Sequence, residues 1–122
     1  MENMKFKVTN TLRILGVPAN LKGYHYLRKA ILLGLEDHYN IEHVVKKLYP
    51  IIAEEYETTA SGVERAIRHA IEVAWDRGDV NVLSAYFGNT LNTKCGRPTN
   101  REFIAMIVDT IELYEEIRNN EG

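Results

Sequence analysis

Apolar residues recur three and four positions apart along most of the chain, which is the spacing of helices that bury one face. In the first half, this pattern predicts helices over about residues 6–15, 21–35 and 41–56. Gly16 gives the first helix a stop, and Pro50 lies inside the third, where we expect the helix to bend or restart. The first half is therefore predicted to be helical almost throughout.

The second half repeats the pattern with one long interruption. Helices are predicted over residues 61–77, 80–87 and 99–117, and the irregular segment 89–98 precedes the last of them. The 122 residues contain no repeat or linker, so a single domain is predicted over residues 1–122. We expect an all-α fold, a compact bundle of about six helices.

Polar residues at three predicted helix starts are suited to cap the backbone N–H groups there. Asn40 directly precedes the helix 41–56. Ser61 is followed three residues later by Glu64, and Thr99 by Glu102, which is the spacing of a capping box. These pairs set the predicted starts of the fourth and last helices.

Composition excludes several classes of protein. A content of 45% hydrophobic and 26% charged residues is typical of a globular domain, and the sequence has neither a long apolar run nor a signal peptide. The single cysteine, Cys95, cannot form an internal disulfide and fits a reducing cytoplasm, where we expect the protein to act. The net charge of −2 argues against a protein that binds nucleic acid without sequence preference. It allows a sequence-specific DNA-binding protein with a local basic patch.

The helix 61–77 is the most informative segment. Its apolar residues form one stripe, which leaves Glu64, Arg65, Arg68 and His69 outside near its start. The helix follows 41–56 after a short connector, and this arrangement is a helix-turn-helix, whose second helix meets the DNA bases with its N-terminal residues. An ordinary surface helix remains the alternative, because hairpins of two helices are common in all-α domains.

The same segment carries a resemblance to a known family. The run Val-Glu-Arg-Ala-Ile-Arg-His-Ala-Ile-Glu-Val-Ala-Trp at 63–75 resembles the DNA-binding helix of the stage zero sporulation protein A family. The similarity continues in the same order through short blocks at 15–19, 22–24, 26–28, 48–50, 97–100 and 102–106. It therefore covers nearly the whole chain.

The resemblance implies a six-helix effector domain that binds a DNA element like TGTCGAA, often in tandem copies. It implies that Glu64, Arg65 and Arg68 contact bases. Arginine can bond to guanine through two atoms, and a carboxylate can accept from cytosine N4, so these residue types suit that role. The resemblance and the surface positions also indicate a set at the DNA backbone or the edge of the site: Thr58, Thr59, Ser61, His69, Lys94 and Arg97.

Each of these residues also has a simpler interpretation. Glu64 can merely close the capping box, and Arg68 can pair with Glu72 four residues on. His69 can be an ordinary surface residue, and Arg97 can be merely solvated. The sequence leaves these alternatives open.

Two departures from the family bear on function. Gly62 occupies a position that is usually arginine in the family, so one cation is missing from the predicted reading surface. The family's receiver domain, with its phosphorylatable aspartate, has no counterpart in these residues, so we expect no control by that route. Together with the acidic net charge, these departures support an alternative: a protein–protein interaction module that kept the fold and lost or weakened DNA binding.

The expected partners follow from the same resemblance. We expect double-stranded DNA as the main partner, a homodimer on tandem sites, and RNA polymerase with its sigma factor, contacted by a surface around residues 78–91. We expect no enzyme, cofactor or metal site, because the four histidines lack ligand spacing and no phosphate loop or nucleophile motif occurs.

Overall fold

The computed structural model describes residues 2–88 and 96–121, and within these ranges all regular structure is helical. The described α-helices are α1 Glu2–Ile14, α2 Lys22–Glu36, α3 Tyr39–Glu42, α4 Tyr49–Glu55, α5 Ala60–Arg77, α6 Val80–Phe87 and α7 Asn100–Glu121. A π-helical segment, Val44–Leu48, connects α3 to α4. The prediction of an all-α fold is confirmed, although the described part has seven α-helices instead of about six.

The extra helix arises because the predicted helix 41–56 is broken into α3, the π-helical segment and α4. His43 leaves helical geometry (φ −128°, ψ 53°), and the N–H of Leu48 then reaches back five residues to the His43 carbonyl at 3.2 Å. Pro50 lies in the first turn of α4, where its missing N–H does not interrupt a helical ladder. The predicted restart at Pro50 is therefore present, but the break upstream of it was not predicted.

Asn40 does not cap a helix, so that prediction was wrong. It lies inside α3, is buried, and donates from Nδ2 to the Leu33 carbonyl at 2.8 Å. Burial of an amide is favourable only when it is hydrogen-bonded, and the Leu33 carbonyl near the end of α2 supplies the partner, in addition to the bond that it accepts from the Asp37 N–H at 3.1 Å. Asn40 thus joins α3 to α2.

Helix α2 lies at the centre of the bundle and packs against α5, α7 and α1. Gly23 makes the contact with α5 possible, because a Cβ atom built there would lie 2.1 Å from the Ala66 carbonyl oxygen and 2.7 Å from the Ala70 Cβ. The inward stripe of α5 is fully buried at Val63 and Ile67. One face of α5 is thus fixed against the core, and the other is left at the surface.

The last helix begins as predicted and ends later. The Thr99 N–H donates to Glu102 Oε1 at 2.8 Å, and the Glu102 N–H donates to Thr99 Oγ1 at 3.1 Å, so this capping box is confirmed. Helix α7 continues past Ile117 to Glu121. Near this end, Glu115 forms an ion pair with Arg118 of the same helix and another with Lys7 of α1. The pair with Lys7 joins this part of α7 to α1.

Candidate nucleic-acid interface

Helix α4 and helix α5 are connected by a tight turn in which Glu57 adopts a left-handed conformation (φ 53°). The Thr58 N–H donates to the Ala53 carbonyl at 2.9 Å, and the Glu57 N–H donates to the Glu54 carbonyl at 3.4 Å. These two bonds are those of a Schellman motif, which usually has glycine at the left-handed position. The chain therefore leaves α4 and enters α5 within four residues, as a helix-turn-helix requires.

Thr59, not Ser61, caps α5. The Gly62 N–H donates to Thr59 Oγ1 at 3.0 Å, and Ser61 lies exposed within the first turn. The predicted Ser61–Glu64 capping box was wrong, because the helix starts two residues earlier than that box would allow. Ser61 and Thr58 are both exposed beside the N-terminus of α5, where backbone N–H groups favour anions.

The predicted reading residues lie together on the outward side of α5. Arg65, Arg68 and His69 are exposed, and Glu64 is half-buried beside them. The opposite side of the same turns is occupied by buried Val63 and by other core residues. The first three turns of α5 thus present both arginines and a carboxylate to solvent without loss of core packing.

Glu64 and Arg68 form an ion pair within the helix. Arg68 donates from Nε to Glu64 Oε2 at 3.0 Å, with a second, longer bond at 3.4 Å. This hydrogen bond and the nearby negative charge raise the pKa of Arg68 above its usual range, so the side chain stays charged. The predicted alternative pair of Arg68 with Glu72 is not the one formed.

Glu72 instead pairs with Arg97, from the segment before α7. Arg97 donates from Nη2 to Glu72 Oε2 at 2.8 Å, and the side chains are about two-fifths and one-third exposed. The predicted site residue Arg97 is therefore beside α5, although it is bonded to protein and not merely solvated. Lys94, the other predicted cation of this loop, lies outside the described residues.

A groove of about 410 Å³ runs between the outward side of α5 and the start of α7. Its lining includes Glu64, Arg68 and Arg97 together with Tyr49 and Asn100. Asn100 donates from Nδ2 to Tyr49 Oη and to the Glu64 carbonyl oxygen, each at 3.1 Å. Burial raises the pKa of Tyr49, and the hydrogen bond from Asn100 partly opposes this effect, so the phenol is neutral.

Tyr49 and Asn100 were not predicted as site residues. Asn100 follows the predicted cap Thr99, and an asparagine in a first helical turn is usually exposed. Only the packing of α7 against α5 shows that its amide faces inward. The signals in the sequence were the blocks 48–50 and 97–100, which contain Tyr49 and Asn100 and contribute to the family resemblance.

Among residues 2–88 and 96–121, no group of three histidine, cysteine, aspartate or glutamate side chains is arranged to hold a metal ion. None of the helices in these ranges is both long enough and apolar enough to cross a membrane.

Comparison with protein families gives a match over most of the chain. The family model described as "Sporulation initiation factor Spo0A C terminal" matches residues 8–111. This range includes α2 to α6 completely, the second half of α1 and the first half of α7. The family is one of DNA-binding domains and not of enzymes. The resemblance seen in the sequence is confirmed, and the chain belongs to the family of C-terminal, DNA-binding effector domains of the sporulation initiation factor Spo0A.

Proposed function

We propose that this domain is a transcription regulator that reads a TGTCGAA-like element with α5 in the major groove. The observation that carries the proposal is the exposed row Arg65, Arg68 and His69, which begins one turn after a tight α4–α5 connection. A major groove admits one α-helix, and the N-terminal residues of a recognition helix reach the base edges.

Base contacts are assigned to Glu64, Arg65 and Arg68. Each arginine can donate two hydrogen bonds to guanine O6 and N7, and a bidentate pair discriminates by roughly 1–3 kcal/mol. The ion pair with Glu64 orients the guanidinium of Arg68 along the helix before DNA arrives. Glu64 and Arg68 then act as one unit, with the carboxylate available to cytosine N4.

Contacts to the DNA backbone are assigned to Thr58, Thr59 and Ser61 at the start of α5, and to His69 in its third turn. Arg97 is assigned to a phosphate on the α7 side of the groove, and Lys94, outside the described residues, remains a predicted contact to the DNA backbone. Arg97 is already bonded to Glu72. To contact DNA, Arg97 must either break this bond or donate to Glu72 and to a phosphate at the same time through different N–H groups of its guanidinium.

A single module of this size buries roughly 600–1,000 Å² on DNA, which favours two copies on tandem sites. We therefore propose that the domain binds DNA as a homodimer. We also propose that the α6 surface contacts the RNA polymerase sigma factor. On α6, Tyr86 is half-buried and Phe87 is buried, so Phe87 is a core residue and Tyr86 is the aromatic candidate for that contact.

The test is a titration of labelled duplexes, one with the TGTCGAA-like element and one with a scrambled sequence, at several salt concentrations. Wild type should prefer the element, and Arg65→Ala should remove most of this preference without a change in melting temperature. Arg118→Ala is the matched control, since it removes the same charge from an exposed site about 27 Å along α7 from Asn100.

Equal affinity of wild type for both duplexes would refute the proposal. Gly62 and the two arginine–carboxylate pairs favour one alternative, an interaction module with weakened DNA binding. That alternative predicts no retention of either duplex at moderate salt, together with direct binding to purified RNA polymerase or sigma factor.

A further inference from the structure

The start of α7 is bonded to α5 at two points. Asn100 donates to the backbone carbonyl of Glu64, and Arg97 donates to the carboxylate of Glu72. The two attachment points are eight residues apart on α5, or about 12 Å along its axis. They flank Arg65 and Arg68, so the stretch of α5 that carries the proposed base contacts is held at both ends by one segment.

Asn100 also connects α5 to the first helix of the helix-turn-helix. Its amide nitrogen bonds to Tyr49 Oη at the start of α4 and to the Glu64 carbonyl in α5. A carbonyl oxygen can accept two bonds, so this bond adds to the helical one and does not replace it. Tyr49 is buried, which fixes the far end of the connection in the core.

Direct reading of bases depends on the exact position of the reading helix. Bidentate hydrogen bonds weaken steeply with misalignment, whereas attraction between cations and phosphates depends little on orientation. A group that only holds α5 in place should therefore affect binding to the correct sequence more than binding to any other.

From this geometry we propose that Asn100, with Tyr49 and the Arg97–Glu72 pair, is a positioning device that sets the DNA selectivity of α5. This inference rests on the proposed function. None of its three bonds requires Asn100, Tyr49 or Glu72 to touch DNA. Asn100, Tyr49 and Glu72 are therefore positioning residues.

A substitution at Glu72 can distinguish a positioning role of the Arg97–Glu72 pair from an effect of the charge of Arg97. Replacement by glutamine weakens the tie to Arg97 and leaves the cation in place, with less negative charge beside it. If Arg97 mattered only through its charge, Glu72→Gln would strengthen binding to both duplexes equally. A positioning role predicts instead that scrambled DNA gains more than the TGTCGAA-like element, so the ratio of affinities falls.

The experiment measures dissociation constants for both duplexes, with melting temperatures, for wild type, Asn100→Ala, Tyr49→Phe and Glu72→Gln. The affinity ratio should fall about 3- to 10-fold for Asn100→Ala, as expected for the loss of one or two hydrogen bonds, and less for Tyr49→Phe. Asn119→Ala, an exposed asparagine near the other end of α7, is the matched control and should keep the wild-type ratio.

A loss of folded protein would weaken binding to both duplexes by the same factor, so a purely structural role leaves the ratio unchanged. A selective wild type with unchanged ratios in all three variants overturns the positioning role and leaves the proposed function intact. A wild type without selectivity overturns the proposed function, and the positioning role with it.

Discussion

Replacement of Gly23 by alanine should unpack α5, the proposed DNA-reading helix, from the core. The new Cβ would lie 2.1 Å from the Ala66 carbonyl oxygen, 2.8 Å from the Ala66 carbonyl carbon and 2.7 Å from the Ala70 Cβ. Two of these three neighbours are backbone atoms of α5, so no side-chain rotation can relieve the contact. Helix α2 and helix α5 must move apart.

The magnitude follows from two opposing effects. Overpacking of a close-packed core costs about 1–3 kcal/mol, and a contact with backbone belongs at the upper end of that range. Alanine has a higher helix propensity than glycine, which stabilises α2 by about 1 kcal/mol. The net loss of unfolding free energy is about 2 kcal/mol, which for a domain of this size lowers the melting temperature by about 8 °C.

The assay is thermal unfolding followed by circular dichroism, checked by urea denaturation. Gly62→Ala is the matched control, because its Cβ would meet only the hydroxyl oxygens of Thr58 and Thr59, at 3.1 and 3.0 Å. Its melting temperature should stay close to that of wild type. If Gly23→Ala and Gly62→Ala have the same melting temperature, the close crossing of α2 and α5 does not require glycine at position 23.

Three further predictions concern charge, backbone conformation and pH. Gly62→Arg should restore a cation at the start of α5, raise DNA affinity and steepen the salt dependence by about one ion; an unchanged slope in a salt titration would contradict this. Glu57→Gly should raise the unfolding free energy by about 1 kcal/mol in urea denaturation, because glycine adopts the left-handed conformation without strain; a loss of stability would count against that reason. His38 donates a hydrogen bond from Nε2 to Glu112 Oε2 at 2.7 Å, and this bond raises the pKa of His38. The stabilising contribution of the pair is therefore complete below the pKa of about 6.5 in the unfolded chain and is lost as pH rises through the higher folded pKa. The difference in melting temperature between wild type and His38→Gln should therefore shrink from pH 6 to pH 8, and a constant difference would refute it.

The helical pattern sufficed to predict α5 to within one residue, because its apolar stripe, its short turn and its terminal glycine all indicate the same element. The predicted cap was Ser61 and the observed cap is Thr59, because serine and threonine both satisfy the capping rule. The choice between them depends on the backbone of the turn, where Glu57 adopts a left-handed conformation that the residue type does not indicate.

The parts that were missed depend on contacts between distant residues. The break at His43 accompanies a bond between Asn40 and α2, and neither can be inferred from local spacing. The inward amide of Asn100 likewise requires the packing of α7 beside α5. The sequence therefore predicted which side chains lie on the outward side of α5, but not which residues bond to this helix from α4 and α7.

The two arginine–carboxylate pairs beside the groove have a consequence for how the domain finds its site. Arg68 and Arg97 each carry a carboxylate partner, so the positive charge of these two side chains is already compensated before DNA arrives. On the proposed function, random DNA would hold such a surface only briefly, because little counterion release accompanies the encounter. The domain would then search by many short visits, and its residence time would be set almost entirely by whether the bases match.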